Sequence, residues 1–119
     1  MKIFVVDDDA SLLGFMRRWL ASLEGHEVCT FENGASAVDA LKTQPPCLVV
    51  SDLEMPGMSG EEVAQAAARL PRPPRIVLMS GDRERLERAG KLAEATLNKP
   101  FSFKDLLSVI ESRDCVSSS

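Results

Sequence analysis

Short, unbroken apolar runs alternate along this chain with segments whose apolar residues recur at helical spacing. Ile3-Phe4-Val5-Val6 is the first such run, and it ends in Asp7-Asp8-Asp9. A run without polar alternation reads as a strand covered on both faces, because neither face is left to water. Leu12, Met16, Trp19, Leu20 and Leu23 then form a helical stripe opposite Arg17, Arg18 and Ala21. Asp9 suits the N-cap of this helix and Gly25 its end. Residues 27–31 predict a second strand, and Glu32-Asn33-Gly34 a turn. Ala37, Val38 and Leu41 mark a second helix, stopped by Pro45-Pro46.

A third apolar strand over residues 47–51 again stops at an acid, Asp52. Ser59 and Glu62 have capping-box spacing, which predicts a helix to about Leu70, ended by Pro71, Pro73 and Pro74. Residues 75–79 read as a fourth strand, 83–92 as a polar helix and 95–98 as a short fifth strand. Ser102 and Asp105 cap a last helix running to about Ser112. One domain over residues 1–113 with a frayed tail at 114–119 is expected. Strict alternation with crossovers of this length predicts an α/β fold. It is a (βα)5 doubly wound parallel sheet of strand order 2-1-3-4-5, flavodoxin-like. Ligands of such sheets bind beyond the carboxyl ends of the strands, near the switch point.

Composition changes this picture mainly by exclusion. A length of 119 residues suits one domain, and a net charge of −4 argues against direct nucleic-acid binding. No apolar stretch is long enough to cross a membrane, and the N-terminus lacks signal-peptide character, so a cytoplasmic location is expected. Cys29, Cys47 and Cys115 lack metal-type spacing and read as thiols in a reducing compartment. His26 is the only histidine, which excludes a multi-histidine metal site; it reads as a loop residue.

The strand ends carry the chemistry. The first delivers Asp7 and Asp8, the third Asp52, the fourth Ser80 and the fifth Lys99. Each alone reads as a cap, a loop hydroxyl or a surface lysine. Together they crowd carboxylates at one sheet edge, where like charges repel unless a cation binds. An all-oxygen set without His or Cys favours Mg²⁺ or Mn²⁺ over zinc.

The segments Val5-Val6-Asp7-Asp8, Asp52-Leu53-Glu54-Met55-Pro56-Gly57-Met58-Ser59-Gly60, Val77-Leu78-Met79-Ser80-Gly81 and Asn98-Lys99-Pro100-Phe101 resemble the four signatures of response regulator receiver domains. The resemblance covers residues 2 to about 112. It implies that Asp52 is the phosphoacceptor, that Asp8 and Asp52 bind Mg²⁺ directly, and that Asp7 acts through metal-bound water. Glu54 would add its backbone carbonyl to the metal. Lys99 would pair with Asp52 and then with the phosphoryl oxygens, Ser80 would swing toward the phosphoryl group, and backbone N–H groups near Leu53 and Gly81 would assist. The Lys99–Pro100 peptide would be cis. The donor would be a phosphohistidine on a histidine kinase or histidine phosphotransfer protein. The product would be a signalling switch that catalyses only its own phosphorylation and slow autodephosphorylation, acting on an unknown downstream protein.

Departures from the family pattern shape further expectations. The aromatic position three residues before the lysine is Thr96, and the chain has no tyrosine. The segment from Ser80 to Lys99 is also about one helical turn short for the family. Both changes fall on the fourth helix, fifth strand and fifth helix, so atypical signalling there and a monomer or weak dimer are expected. Phe15 reads either as edge-of-core packing or, with Leu12, as part of a docking patch for the donor. Glu54 and Asp82 each lie two residues after a signature residue and are expected to lengthen the phosphoryl lifetime. Two alternatives compete. One is a receiver-like interaction module independent of phosphorylation. The other is a haloacid-dehalogenase-like phosphatase using the spacing of Asp7 and Asp9.

Overall fold

A computed structural model describes residues 1–111 of the protein. The elements are β1 (Lys2–Val6), α1 (Ala10–Ala21), β2 (Glu27–Phe31), α2 (Gly34–Thr43), β3 (Leu48–Asp52), α3 (Gly60–Ala68), β4 (Arg75–Ser80), α4 (Arg83–Ala89), β5 (Ala95–Asn98) and α5 (Phe103–Ile110). All strand pairs are parallel and the sheet order is β2-β1-β3-β4-β5. The predicted architecture is the observed one.

Alternation along each strand feeds two separate cores, one on each sheet face. Phe4, Val6, Val49, Ile76 and Leu78 pack with Ala37, Leu41, Val63, Ala67, Leu86 and Ala89 of α2, α3 and α4. Ile3, Val5, Val50, Val77, Met79 and Leu97 pack with Leu13, Met16 and Leu20 of α1 and Leu106 and Ile110 of α5. Each fully buried Val, Leu, Ile, Phe or Met side chain among them contributes roughly 1.5–3 kcal/mol. Because both faces are covered, β3 is buried along its whole length, which is why its sequence carries no polar alternation.

The helix starts follow the sequence closely. Asp9 accepts from the backbone N–H groups of Ser11 and Leu12 at 3.0 and 3.2 Å. Capping boxes form at Ser59/Glu62 and Ser102/Asp105. The helix ends differ more. α1 stops at Ala21, short of Gly25, because the Ser22 hydroxyl donates to the Trp19 carbonyl at 2.6 Å and Leu23 N–H closes a tighter turn on Leu20. Asn33 is the N-cap of α2 and not merely a turn residue. β3 and β4 each extend one residue further than expected, to Asp52 and Ser80, because the parallel ladder persists there. α3 ends at Ala68. α4 ends at Ala89 and tightens into a 3-10 turn over Gly90–Leu92.

Two glycines between β3 and the first turn of α3 have geometric reasons. Gly57 has φ +77°, a conformation that favours glycine. A Cβ on Gly60 would lie 2.2 Å from the Asp52 carbonyl oxygen, so only glycine lets α3 start against the backbone of Asp52. Met55 is buried in the first core, and Met58 packs on Gly34 at the start of α2. At the opposite pole, the Arg75 guanidinium reaches the carbonyls of Val109 and Ile110 at the end of α5, at 2.8 and 3.2 Å, and pairs with Glu94 at 2.6 Å.

Cys29 is a free thiol, and Cys115 lies outside the described residues. The end of the last helix expected at Ser112 and the tail expected at 114–119 lie outside the described residues.

Candidate functional site

The carboxyl rim of β1, β3, β4 and β5 forms the site. Asp7 follows β1 and is held by its N–H on the Phe31 carbonyl at 3.0 Å, which continues the ladder with β2. Lys99 is placed in the same way, its N–H on the Ser80 carbonyl at 2.8 Å, and the Asn98 amide donates to that same carbonyl at 3.0 Å. The Lys99–Pro100 peptide is cis.

These ladders bring the predicted acids together. One carboxylate oxygen each from Asp7, Asp8 and Asp52 lie within 4.8 Å of one another. Asp7 and Asp52 are buried, whereas Asp8 faces solvent. Lys99 spans the pair. Its Nζ donates to Asp7 Oδ2 at 2.7 Å and lies 3.0 Å from Asp52 Oδ1. The hydrogen bond therefore goes to Asp7, and the closer partner is not the expected Asp52. The contact to Asp52 is an ion pair off hydrogen-bond angle, and Asp52 Oδ1 is buried with no hydrogen-bond donor. Both oxygens of Asp7 are engaged, since Oδ1 accepts from the Asp9 N–H at 2.9 Å.

Burial pushes the Asp52 carboxyl up to about 6. The Lys99 ammonium pulls against that, and the charges of Asp7 and Glu54 add to the rise. Burial alone would lower Lys99, but its contacts with Asp7 and Asp52 outweigh it and leave the ammonium more firmly protonated than usual. The residues fit a hard divalent cation. A buried carboxylate oxygen without a donor, beside two further carboxylates and no nitrogen or sulfur ligand, is suited to Mg²⁺ or Mn²⁺.

Ser80 is fully buried at the end of β4, one residue beyond Met79, the register partner of Asp52. Its hydroxyl donates to the side-chain carboxylate of Glu54, 2.7 and 2.6 Å from the two oxygens, and accepts from the Asp82 N–H at 2.9 Å. Residue spacing carries no signal of this contact, because it depends on how the loops after β3 and β4 face each other. A second contact between those loops was equally invisible. Arg85 of α4 donates to Glu61 of α3 at 2.9 Å and to the Leu53 carbonyl at 3.2 Å, and it holds the Glu61 carboxyl below its usual range.

The expectations for the Leu53 N–H and for Phe15 at the edge of the core need correction, and the remaining predicted residues are placed as follows. The Leu53 N–H is taken by the Met79 carbonyl at 2.8 Å, so it is not available to a ligand. The Asp82 carboxylate caps α4 through the Arg85 N–H at 3.2 Å. Asp9 caps α1 and does not enter the acidic pocket, which removes the second acid a phosphatase of the competing kind would need. Phe15 is 50% exposed and not at the edge of the core; its ring lies beside Trp19, with the Arg18 guanidinium 5.1 Å above it. Leu12 lines a shallow hollow of about 390 Å³ with Asp9, Lys99, Pro100 and Phe101. Thr96 is exposed on β5.

A five-stranded parallel sheet of this order, with acids and a lysine meeting at its carboxyl rim, defines the receiver class. The chain belongs to the response regulator receiver domain family, whose sequence profile matches residues 3–111. It is 35% identical over 116 residues to the DNA-binding transcriptional regulator NtrC of Escherichia coli (strain K12), covering 92% of this chain and 24% of NtrC. The chain thus spans only a minor part of that relative's length. The response regulator receiver protein CpdR of Brucella abortus is 31% identical over 113 residues, with 92% of this chain and 93% of CpdR covered. Among solved structures, the response regulator TrrA of Thermotoga maritima, in complex with Mg²⁺–BeF, is similar with a TM-score of 0.83 at 30% identity, over 93% of this chain and 96% of that one. No helix among the described residues is long and apolar enough to cross a membrane.

Proposed function

We propose that the protein is a phosphorylation-dependent switch of a two-component phosphorelay that accepts a phosphoryl group on Asp52. The observation that carries this reading is the Lys99 ammonium 3.0 Å from a buried Asp52 oxygen that lacks any other donor, with Asp7 and Asp8 beside it. Asp8 and Asp52 would hold Mg²⁺ directly. Both Asp7 oxygens already accept hydrogen bonds, which favours contact through metal-bound water. Bound there, the cation would offset the carboxylate charges and those of the equatorial phosphoryl oxygens.

A carboxylate needs no activating base. An oxygen of Asp52 attacks phosphorus, the bond to the donor's histidine nitrogen breaks, and the imidazole leaves with the electron pair and takes a proton from water. Lys99, already charged and anchored on Asp7, neutralises the incoming oxygens. The Ser80 hydroxyl turns toward the new group, and the loop to α4 follows it.

The donor is then a histidine kinase or histidine phosphotransfer protein, with Phe15 and Leu12 as its contact patch. The downstream protein would read the β4–α4 loop and the face of α4, β5 and α5. Lifetime tuning by Glu54 and Asp82, monomeric or weakly dimeric behaviour, and a cytoplasmic location complete the reading. Acetyl phosphate with Mg²⁺ should add one phosphoryl group, located at Asp52 by mass spectrometry after borohydride trapping. Asp52→Asn or chelation should abolish it. An unmodified wild-type protein would favour an interaction module independent of phosphorylation, and turnover of a phosphomonoester would favour a phosphatase.

A further inference from the structure

We infer that the Glu54 carboxylate is a positioning residue that holds Ser80 away from Asp52 and so opposes the switch; this rests on the phosphoacceptor reading above. A serine hydroxyl has one proton to donate. Here that proton is committed to Glu54, with Ser80 Oγ 2.7 and 2.6 Å from the two carboxylate oxygens. A hydrogen bond to an ionised acceptor is stronger than one between neutral groups, and its being largely buried on the serine side strengthens it further. A phosphoryl group on Asp52 is a second anionic acceptor competing for the same proton.

The competition reaches α4 through the backbone. Ser80 Oγ also accepts from the N–H of Asp82, the residue that caps α4. If the hydroxyl rotates toward Asp52, it leaves both Glu54 and the Asp82 N–H. The start of α4 thereby loses one of its anchors, while Arg85 keeps the helix tied to Glu61 and the Leu53 carbonyl. Glu54 thus sets how much of the phosphoryl group's interaction is spent on freeing Ser80. Its side chain is exposed, so the free carboxylate can return to water at little cost.

Beryllofluoride binding with saturating Mg²⁺, followed by fluorine NMR, tests this on the whole chain. Glu54→Ala should tighten binding about tenfold, as expected for losing one charge-assisted competitor. Glu54→Gln keeps a neutral acceptor for the hydroxyl and should fall between the two. In a Ser80→Ala background, Glu54→Ala should change nothing, because no hydroxyl remains to be held. Equal tightening in that background would assign the effect to charge repulsion of the anion and overturn the inference, as would unchanged binding by Glu54→Ala. The metal-free wild type should show a nuclear Overhauser contact between the Ser80 β protons and the Glu54 γ protons that disappears when Mg²⁺ and beryllofluoride are added. Its absence at the start would overturn the hold directly. If that contact is present but the wild type binds no beryllofluoride, or Asp52→Asn binds it equally, the phosphoacceptor reading fails instead and takes the opposition to switching with it.

Discussion

The ammonium of Lys99 is hydrogen-bonded to Asp7 at 2.7 Å and stands 3.0 Å from Asp52. One cation just after β5 therefore serves two buried carboxylates, one just after β1 and one at the end of β3, and neither acid has another side-chain cation within ion-pair distance among the described residues. Its loss leaves like charges facing each other in a site shielded from water. Lys99→Met should destabilise the metal-free protein by about 3 kcal/mol in urea titrations, since breaking a buried pair strands its partner. Added Mg²⁺ should recover part of that. A change below the error of the titration would show that Asp7 and Asp52 do not depend on the lysine.

Asp52 predicts an opposite sign. Its carboxyl is raised to about 6 from an ordinary 3.8, chiefly by burial, so the folded state holds the proton more tightly than the unfolded one. The contribution is fully present below the unfolded value and is lost as pH rises through the folded value. In metal-free protein, stability should therefore fall between about pH 4 and pH 6, by at most about 3 kcal/mol from this group. Asp52→Asn should flatten that slope and raise the melting temperature at pH 7. A mutant less stable than wild type at pH 7 would contradict the account.

Gly60 ties the loop after β3 to Asp52. A Cβ there meets the Asp52 carbonyl oxygen at 2.2 Å, and that oxygen belongs to backbone that cannot yield cheaply. Gly60→Ala should cost roughly 3 kcal/mol or more by calorimetry and lower acetyl phosphate labelling of Asp52. Gly14, with open space around its Cβ position, is the matched control.

Phe15 stands clear of both cores, so Phe15→Ala should move stability by no more than about 0.5 kcal/mol. Phosphotransfer from the cognate donor should slow, while labelling by acetyl phosphate stays the same. Equal slowing with both donors would dismiss a docking role.

Thr96 lies exposed on β5 where the family pattern has an aromatic ring. Amide exchange with and without beryllofluoride should show a change at the start of α4, where Ser80 releases the Asp82 N–H, and a muted response in the rest of α4 and in β5. Strong protection changes across α4 would count against an atypical output face.

The alternation of apolar runs and helical stripes made the sheet order readable, and the residues at the strand ends named the acidic pocket, because both follow from local periodicity and topology. The contacts that tune the pocket did not. Ser80 with Glu54, Arg85 with Glu61, and the preference of Lys99 for Asp7 are set by the relative rotation of loops and side chains, which no spacing encodes. The early end of α4 escaped for the same kind of reason, since it depends on packing that its own segment does not determine.

Arg75 gives the molecule a fixed end. By gripping the last carbonyls of α5 and pairing with Glu94 ahead of β5, it fastens both elements to the floor of β4, at the pole opposite the carboxyl rim of the sheet. Sliding of α5 or β5 along the sheet would have to break these contacts.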